Sequence, residues 1–226
     1  MQITYYGHAC FLVEIGETKL LFDPFITPNE AAKSIDINTI KADYILLSHA
    51  HQDHVADFET LAKQTGATLI STFEICTYYE AKGHSKYWPM NHGGKHAFDF
   101  GTVKMVNAVH TSTFADGTPG GAPAGFVISS ADKTFYFAGD TALTYDMKLI
   151  GEEFSVDVAF LPIGDNFTMG IEDAVRAADF VGTSHIIGMH FDTFPFIQID
   201  GGSARGHAAM HGKSLSLLNI GETISL

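Results

Sequence analysis

The segment His49-Ala50-His51-Gln52-Asp53-His54 places three imidazoles and one carboxylate within six positions. It directly follows Asp43-Tyr-Ile-Leu-Leu-Ser48, a nearly continuous apolar run of the kind expected of a strand buried on both faces. Residues two apart at a strand end point the same way, so His49 and His51 converge on one cation. The chain turning into a helix brings Asp53 and His54 to an adjacent point. One loop can thus serve two ions. Imidazole and carboxylate suit zinc, with manganese or iron as alternatives, and the lack of cysteine in the cluster argues against a thiolate-rich structural site. The competing reading is a polar loop that happens to be rich in histidine, against which the tight spacing weighs heavily.

The composition narrows what such a site would act on. The 226 residues are 46% hydrophobic and 17% charged, enough apolar surface for a packed core and unlike a disordered chain. Lys plus Arg is 13 against 26 Asp plus Glu, a formal net charge of −13, which repels polyanions and anionic lipid surfaces. Nucleic acid is therefore not favoured as a partner, a small molecule is expected instead, and no apolar run approaches the ~18 residues that span a bilayer. The opening Met1–His8 has no basic leader. The two cysteines, Cys10 and Cys76, form neither a C-x-x-C pair nor a disulfide framework, so a reducing cytoplasm is the expected compartment. A homo-oligomer is left open.

The elements that must position the donors follow from periodicity and turn residues. Short β-prone runs at Gln2–Tyr6, Phe11–Ile15 and Lys19–Phe22, separated by Gly7 and Gly16, predict an opening antiparallel meander. Val55–Gln64 has helical spacing ending at Gly66, Ala67–Ser71 reads as a strand, and Phe73–Lys82 as a helix. Further strands are expected over Thr102–Val109, Gly125–Ser129, Thr134–Ala138, Val156–Leu161 and His185–Met189, a helix over Ile171–Val181, and a flexible loop at Gly117–Pro123. The order strand, strand, helix, strand occurs twice. Lys19–Asp23 parallels Lys133–Asp140, and Asp43–Ser48 parallels Asp157–Pro162. This pattern predicts an internal duplication and an α/β fold of one four-layer αββα sandwich, a single domain over residues 1–226.

The intact H-x-H-x-D-H at 49–54 resembles the signature of the metallo-β-lactamase superfamily, whose fold is this αββα sandwich with two metal ions at the sheet ends. The resemblance implies three further ligands at later strand ends, for which the chain offers His110, Asp140 and His190. By the same resemblance, His49, His51 and His110 hold the first ion, Asp53, His54 and His190 the second, and Asp140 bridges them. The stretches Gly7–Phe11, Pro162–Gly170 and His190–Pro195 resemble a less characterised branch, which includes ascorbate-phosphate lactonase-like proteins and chains known only as metal-dependent hydrolases.

That ligand set implies hydrolysis of an ester, lactone, amide or phosphodiester bond of a small molecule by a hydroxide shared between two ions, most simply Zn2+, with Asp53 orienting it and passing its proton. No G-x-S-x-G elbow competes as a nucleophile site. His8 is read either as a proton donor or substrate contact, or as an ordinary turn histidine. Asn166, with the amides opening the helix at Ile171, could hold an oxyanion; the plainer reading is a helix capped by Thr168 or Gly170. Phe191 is a candidate substrate contact and equally a pocket wall or core residue. Asp23, before Pro24, either supports the ligands or starts a turn. His185 precedes His190 by five residues, ~16 Å along a strand, and is expected to be structural. His84, His92, His96, His207 and His211 are expected at the surface or in loops. The alternatives are a phosphodiesterase acting on small phosphodiesters or on nucleic acid, the latter disfavoured by charge and by Arg176 and Arg205 being the only arginines, iron-dependent thiol or persulfide oxidation, and a noncatalytic binding module.

Overall fold

The N-terminal runs pair as a meander in a computed structural model that describes residues 1–226. Strands β1 (Gln2–Gly7), β2 (Cys10–Ile15) and β3 (Thr18–Phe22) are antiparallel neighbours. Next to β3 lie β4 (Tyr44–Leu46), β5 (Thr68–Thr72) and β6 (Tyr87–Met90), each parallel to the strand before it. Parallel neighbours need crossovers: the link from β3 to β4 carries two short 3-10 turns, Glu30–Ala32 and Ile37–Thr39, while α1 (Gln52–Val55) and α2 (Phe58–Thr65) join β4 to β5 and α3 (Phe73–Ala81) joins β5 to β6.

A second sheet repeats the scheme. Strands β7 (Lys95–Phe98), β8 (Gly101–Asn107), β9 (Ala124–Ser129) and β10 (Thr134–Phe137) are antiparallel, and β11 (Val158–Pro162), β12 (His185–Met189) and β13 (Ser214–Ser216) follow in parallel. The chain ends in β14 (Thr223–Ser225), antiparallel to β1, so each sheet has seven strands. The helices of this half are α4 (Met147–Glu153), α5 (Ile171–Val181) and α6 (Gly201–Met210). Residues 1–94, 111–123 and 219–226 form one unit around the first sheet, and residues 95–110 and 124–218 another around the second.

The duplication extends to hydrogen bonds. The Lys19 N–H donates to Asp43 Oδ2 (2.8 Å) and the Thr134 N–H to Asp157 Oδ2 (2.8 Å), while Asp43 and Asp157 return their own N–H groups to the Lys19 and Thr134 carbonyls. The equivalence therefore runs from Lys19 to Thr134, one residue from the alignment expected. Asp23 corresponds to Ala138 rather than Asp140, since Asp23 N donates to Leu46 O and Ala138 N to Phe160 O at matching points of the parallel pairs.

Three expectations are corrected. The helix predicted over Val55–Gln64 is broken into α1 and α2, because Asp57 leaves helical geometry to accept the Ile26 and Thr27 N–H groups (2.6 and 2.8 Å) and to donate its own to Pro24 O. The strand predicted over Thr102–Val109 ends at Asn107, since Val109 N turns to Thr141 Oγ1 (3.0 Å) and Val109 O accepts from Ala142 N. The 117–123 segment is pinned, with Phe114 buried against Tyr78, their rings stacked 3.6 Å apart, and Thr113 bridged to Pro119. The strands β6, β7, β13 and β14 and helices α4 and α6 carry no clear signal in the sequence, because they are short or lack a clear period.

Core packing follows the patterns. All of β11 is buried, as an interior parallel strand should be, and α5 buries Ala174, Val175, Ala177, Ala178 and Val181 along one face. Tyr136 on β10 is fully buried, and its hydroxyl has no hydrogen-bond partner, so burial pushes its pKa well up. An unsatisfied buried hydroxyl costs about 1–3 kcal/mol. Replacing it with phenylalanine, Tyr136→Phe, should therefore leave stability unchanged or raise it by about 1 kcal/mol; a loss on denaturant unfolding would show that the hydroxyl is satisfied.

Candidate metal centre

In the first unit, the ends of parallel strands β3 and β4 bring the histidine motif onto a buried carboxylate. Asp23, fully buried with φ 40°, accepts from Ser48 N (2.8 Å), Ser48 Oγ (2.6 Å) and His54 Nδ1 (2.8 Å). Burial pushes its carboxyl above the ordinary value, and the bonds from His54 and Ser48 pull it back down. The Ser48 hydroxyl has one proton, which goes to Asp23. His49 Nδ1, 2.9 Å from the same oxygen, must then carry a proton and donate it. His49 is thereby held with its Nε2 lone pair free of that bond, and His54 is fixed in the same tautomer by donating Nδ1–H to Asp23. Asp23, His49 and His54 each place one donor atom within 4.8 Å of the others.

His49 Nε2 faces His51 Nδ1 at 3.0 Å, and His51 Nε2 lies 3.3 Å from Thr111 Oγ1. Ala50, between the two histidines, is held by Ser112 Oγ, which accepts its N–H at 3.1 Å. It is also pressed by Gly120, where a Cβ would stand 2.3 Å from that of Ala50. Asp53 and His54 lie on α1, with Asp53 Oδ2 3.9 Å from His54 Nε2. His8, at φ 57° between β1 and β2, buries its ring and sets Nε2 3.0 Å from Asp53 Oδ2. It is thus placed on a candidate ligand rather than left to its own turn.

The second unit gathers three donors of its own. Asp140 Oδ2 stands 2.9 Å from His190 Nε2 and 3.5 Å from His110 Nε2, so one carboxylate oxygen faces both imidazoles. The Val109–Thr141 and Val109–Ala142 bonds tie together the loops that carry His110 and Asp140. His190 follows β12 directly, with φ 56°. His8, Asp23 and His190 all occupy the left-handed region, a strained conformation for residues other than glycine that concentrates at functional sites.

The remaining candidates lie elsewhere. His185, at the opposite end of β12, places Nδ1 2.9 Å from Ser214 Oγ. His92 donates to Pro123 O (2.8 Å), His96 packs on Phe98, and His211 donates to His207 O. His84 stands edge-on to Phe58, and burial lowers its pKa. Asn166 is exposed at φ 55°, its N–H on Asp165 Oδ1, and Phe191 is half-buried beside His190. The N-cap of α5 is Gly170, with no side-chain cap; the Thr168 hydroxyl instead donates to Met169 O. Arg176 pairs with Asp173 at 2.9 Å. Sequence reasoning missed Ser48, Thr111 and Ser112, whose only signal is that they flank candidate ligands.

The donors fit a divalent cation: imidazole nitrogens and carboxylate oxygens converge, two histidines have their tautomers fixed, and neither thiol joins the donor groups, both being buried, with burial pushing the Cys10 and Cys76 pKa values up. The comparisons agree. Residues 2–190 match the beta-lactamase superfamily domain. A UPF0173 metal-dependent hydrolase from Flavobacterium johnsoniae is 56% identical over 226 residues, covering 100% of both chains, and one from Christiangramia forsetii is 56% identical over 227. Igni18, described as a novel metallo hydrolase from Ignicoccus hospitalis, superposes with TM-score 0.90 at 32% identity, over 99% of this chain and 97% of its own. The chain belongs to the metallo-β-lactamase superfamily and has its fold. Within that superfamily it is a metal-dependent hydrolase.

The geometry around Asp23 makes a direct prediction. Asp23→Asn keeps the shape but loses the charge that fixes His54 and Ser48. Metal affinity, read by competition with a chelator, should fall about 10- to 100-fold while the chain stays folded.

Proposed function

We propose that the two donor sets work together as one catalytic domain over residues 1–226 holding two divalent ions. In this reading His49, His51 and His110 would hold one ion and Asp53, His54 and His190 the other, with Asp140 a ligand available to both. The observation that carries it is how the donors are presented. The His49 and His51 nitrogens face each other at 3.0 Å with the His49 lone pair directed by Ser48, and a single Asp140 oxygen faces both His110 and His190. A cation satisfies both arrangements. The nitrogen and oxygen donors suit zinc, with manganese or iron(II) as alternatives.

Bound there, such ions would make hydroxide available at neutral pH, since a cation lowers the pKa of water from about 15.7 to about 7, and would polarise the oxygen of the bond under attack. Asp53 orients the attacking group and takes its proton. His8 Nε2, 3.0 Å from Asp53 Oδ2, is the next group along and returns a proton to the departing group. Asn166 and Phe191 are assigned as substrate contacts. The reaction is hydrolysis of an ester, lactone, amide or phosphodiester bond in a small molecule, and the −13 charge disfavours a polynucleotide. No helix is long and apolar enough to cross a membrane, and both cysteines are free, as a reducing cytoplasm would keep them.

Anaerobic metal analysis of protein purified without added metal tests the reading. Close to two zinc or manganese ions per chain supports it, whereas a single iron favours oxidation of a thiol or persulfide. Asp140→Ala and His190→Ala should each retain the fold by circular dichroism and weaken metal binding by more than the roughly 10- to 100-fold expected for a supporting residue. His185→Ala should keep the full metal complement. His8→Ala should also keep its metal while lowering kcat about 10²- to 10⁴-fold, the range for loss of a positioned acid or base.

A further inference from the structure

The second unit carries an open cleft of about 440 Å³ between the loop after β11, the loop after His190 and helix α6. This lies within the ~300–1,000 Å³ typical of sites for small organic ligands. Ile163, Ile171, Ile199 and Met210 give it apolar walls, and Asp165 and Asp200 contribute carboxylates. His207 is the one basic side chain in the lining, which has no lysine or arginine. Hydrogen bonds from the backbone and side chain of Ser203 hold the Asp200 carboxyl below its ordinary value, so it is ionised at neutral pH. On the same two loops Phe167 and Phe196 stay exposed, their rings 6.2 Å apart.

The cavity adjoins a candidate ligand. Ile163 N donates to Met189 O (3.1 Å), and Gly164 approaches His190 so closely that a Cβ there would stand 2.1 Å from its carbonyl oxygen. The wall of the cavity and the backbone of His190 are therefore one packed unit.

We propose that this cavity binds the non-reacting part of the substrate, an aliphatic group that is uncharged or carries an amine, and rejects groups bearing carboxylate or phosphate. Apolar walls favour the aliphatic body, and the two carboxylates set the sign of charge the site accepts. That the occupant belongs to a substrate rests on the hydrolytic reading; the binding itself does not.

Protein labelled at its isoleucine methyl groups and titrated with hexylamine, hexanol and hexanoate, followed by NMR, tests this. Hexylamine and hexanol should shift the Ile171 and Ile199 methyl signals, with hexanoate bound at least about tenfold more weakly than hexylamine. Asp165→Asn should narrow that gap. Ser203→Trp, at an exposed position in the first turn of α6, should weaken all binding more than about tenfold by filling the space. Hexanoate binding as tightly as hexylamine would overturn the proposal, as would unchanged affinity in Ser203→Trp, shifts confined to other isoleucines, or no binding of amine and alcohol. The titration needs neither metal nor turnover. Failure here beside normal hydrolysis removes only the cavity assignment, and intact amine binding without hydrolysis removes only the hydrolytic one.

Discussion

A carboxylate buried out of water is costly unless hydrogen bonds replace its hydration, and Asp23 has that replacement from Ser48 N, Ser48 Oγ and His54 Nδ1. The compensation works in both directions. The bonds that make the charge tolerable also fix the tautomer of His54 directly and of His49 through the serine hydroxyl. Neighbouring backbone is tied in as well: Pro24 O accepts from Asp57 N, and Asp57 Oδ2 accepts from Ile26 N and Thr27 N. These bonds separate α1 from α2 and leave Asp53 and His54 on a four-residue turn of helix whose direction is set by the 23–27 loop. One buried acid thus organises the first unit's donors before any ion is considered.

Part of this was legible from the chain and part was not, for physical reasons. The H-x-H-x-D-H spacing carries its own geometry, because alternation at a strand end and the turn into a helix are local properties. The periodic run Ile171–Val181 and the short, mostly buried run His185–Met189 agree with the expected bounds to the residue. The failures lie where a distant partner overrides local preference. Val55–Gln64 has helical periodicity throughout, yet two amides from residues 26 and 27 outbid its continuation at Asp57. Val109 has strand propensity, yet it leaves the ladder to pair with the 141–142 loop. Asp23 before Pro24 reads equally as a turn starter or as a support, and only the approach of Ser48, just past β4 and 25 residues later, separates the two.

The repeated topology makes the differences between the two halves informative. Because Phe22 pairs with Leu46 and Phe137 with Phe160, the segment after β4 that carries His49 and Ala50 corresponds to Ile163 and Gly164 after β11. Both segments leave a buried parallel strand and meet another chain segment at very short range. Ala50 is pressed by Gly120 and Gly164 by the His190 carbonyl, so in each half a small residue is needed at the crossing. What differs is the chemistry placed beside that crossing. In the first half it is a run of imidazoles supported by Asp23, whose counterpart in the second half is Ala138. Without a buried acid at that point, the second half has nothing to fix histidine tautomers at the equivalent strand end. There the same backbone path carries an isoleucine and a glycine that line a cavity, and the half's own donors come from three separate loops. The two halves therefore use one backbone path differently: beside Asp23 the strand end presents imidazoles with fixed tautomers, and beside Ala138 the same strand end carries Ile163 and Gly164 and lines a cleft.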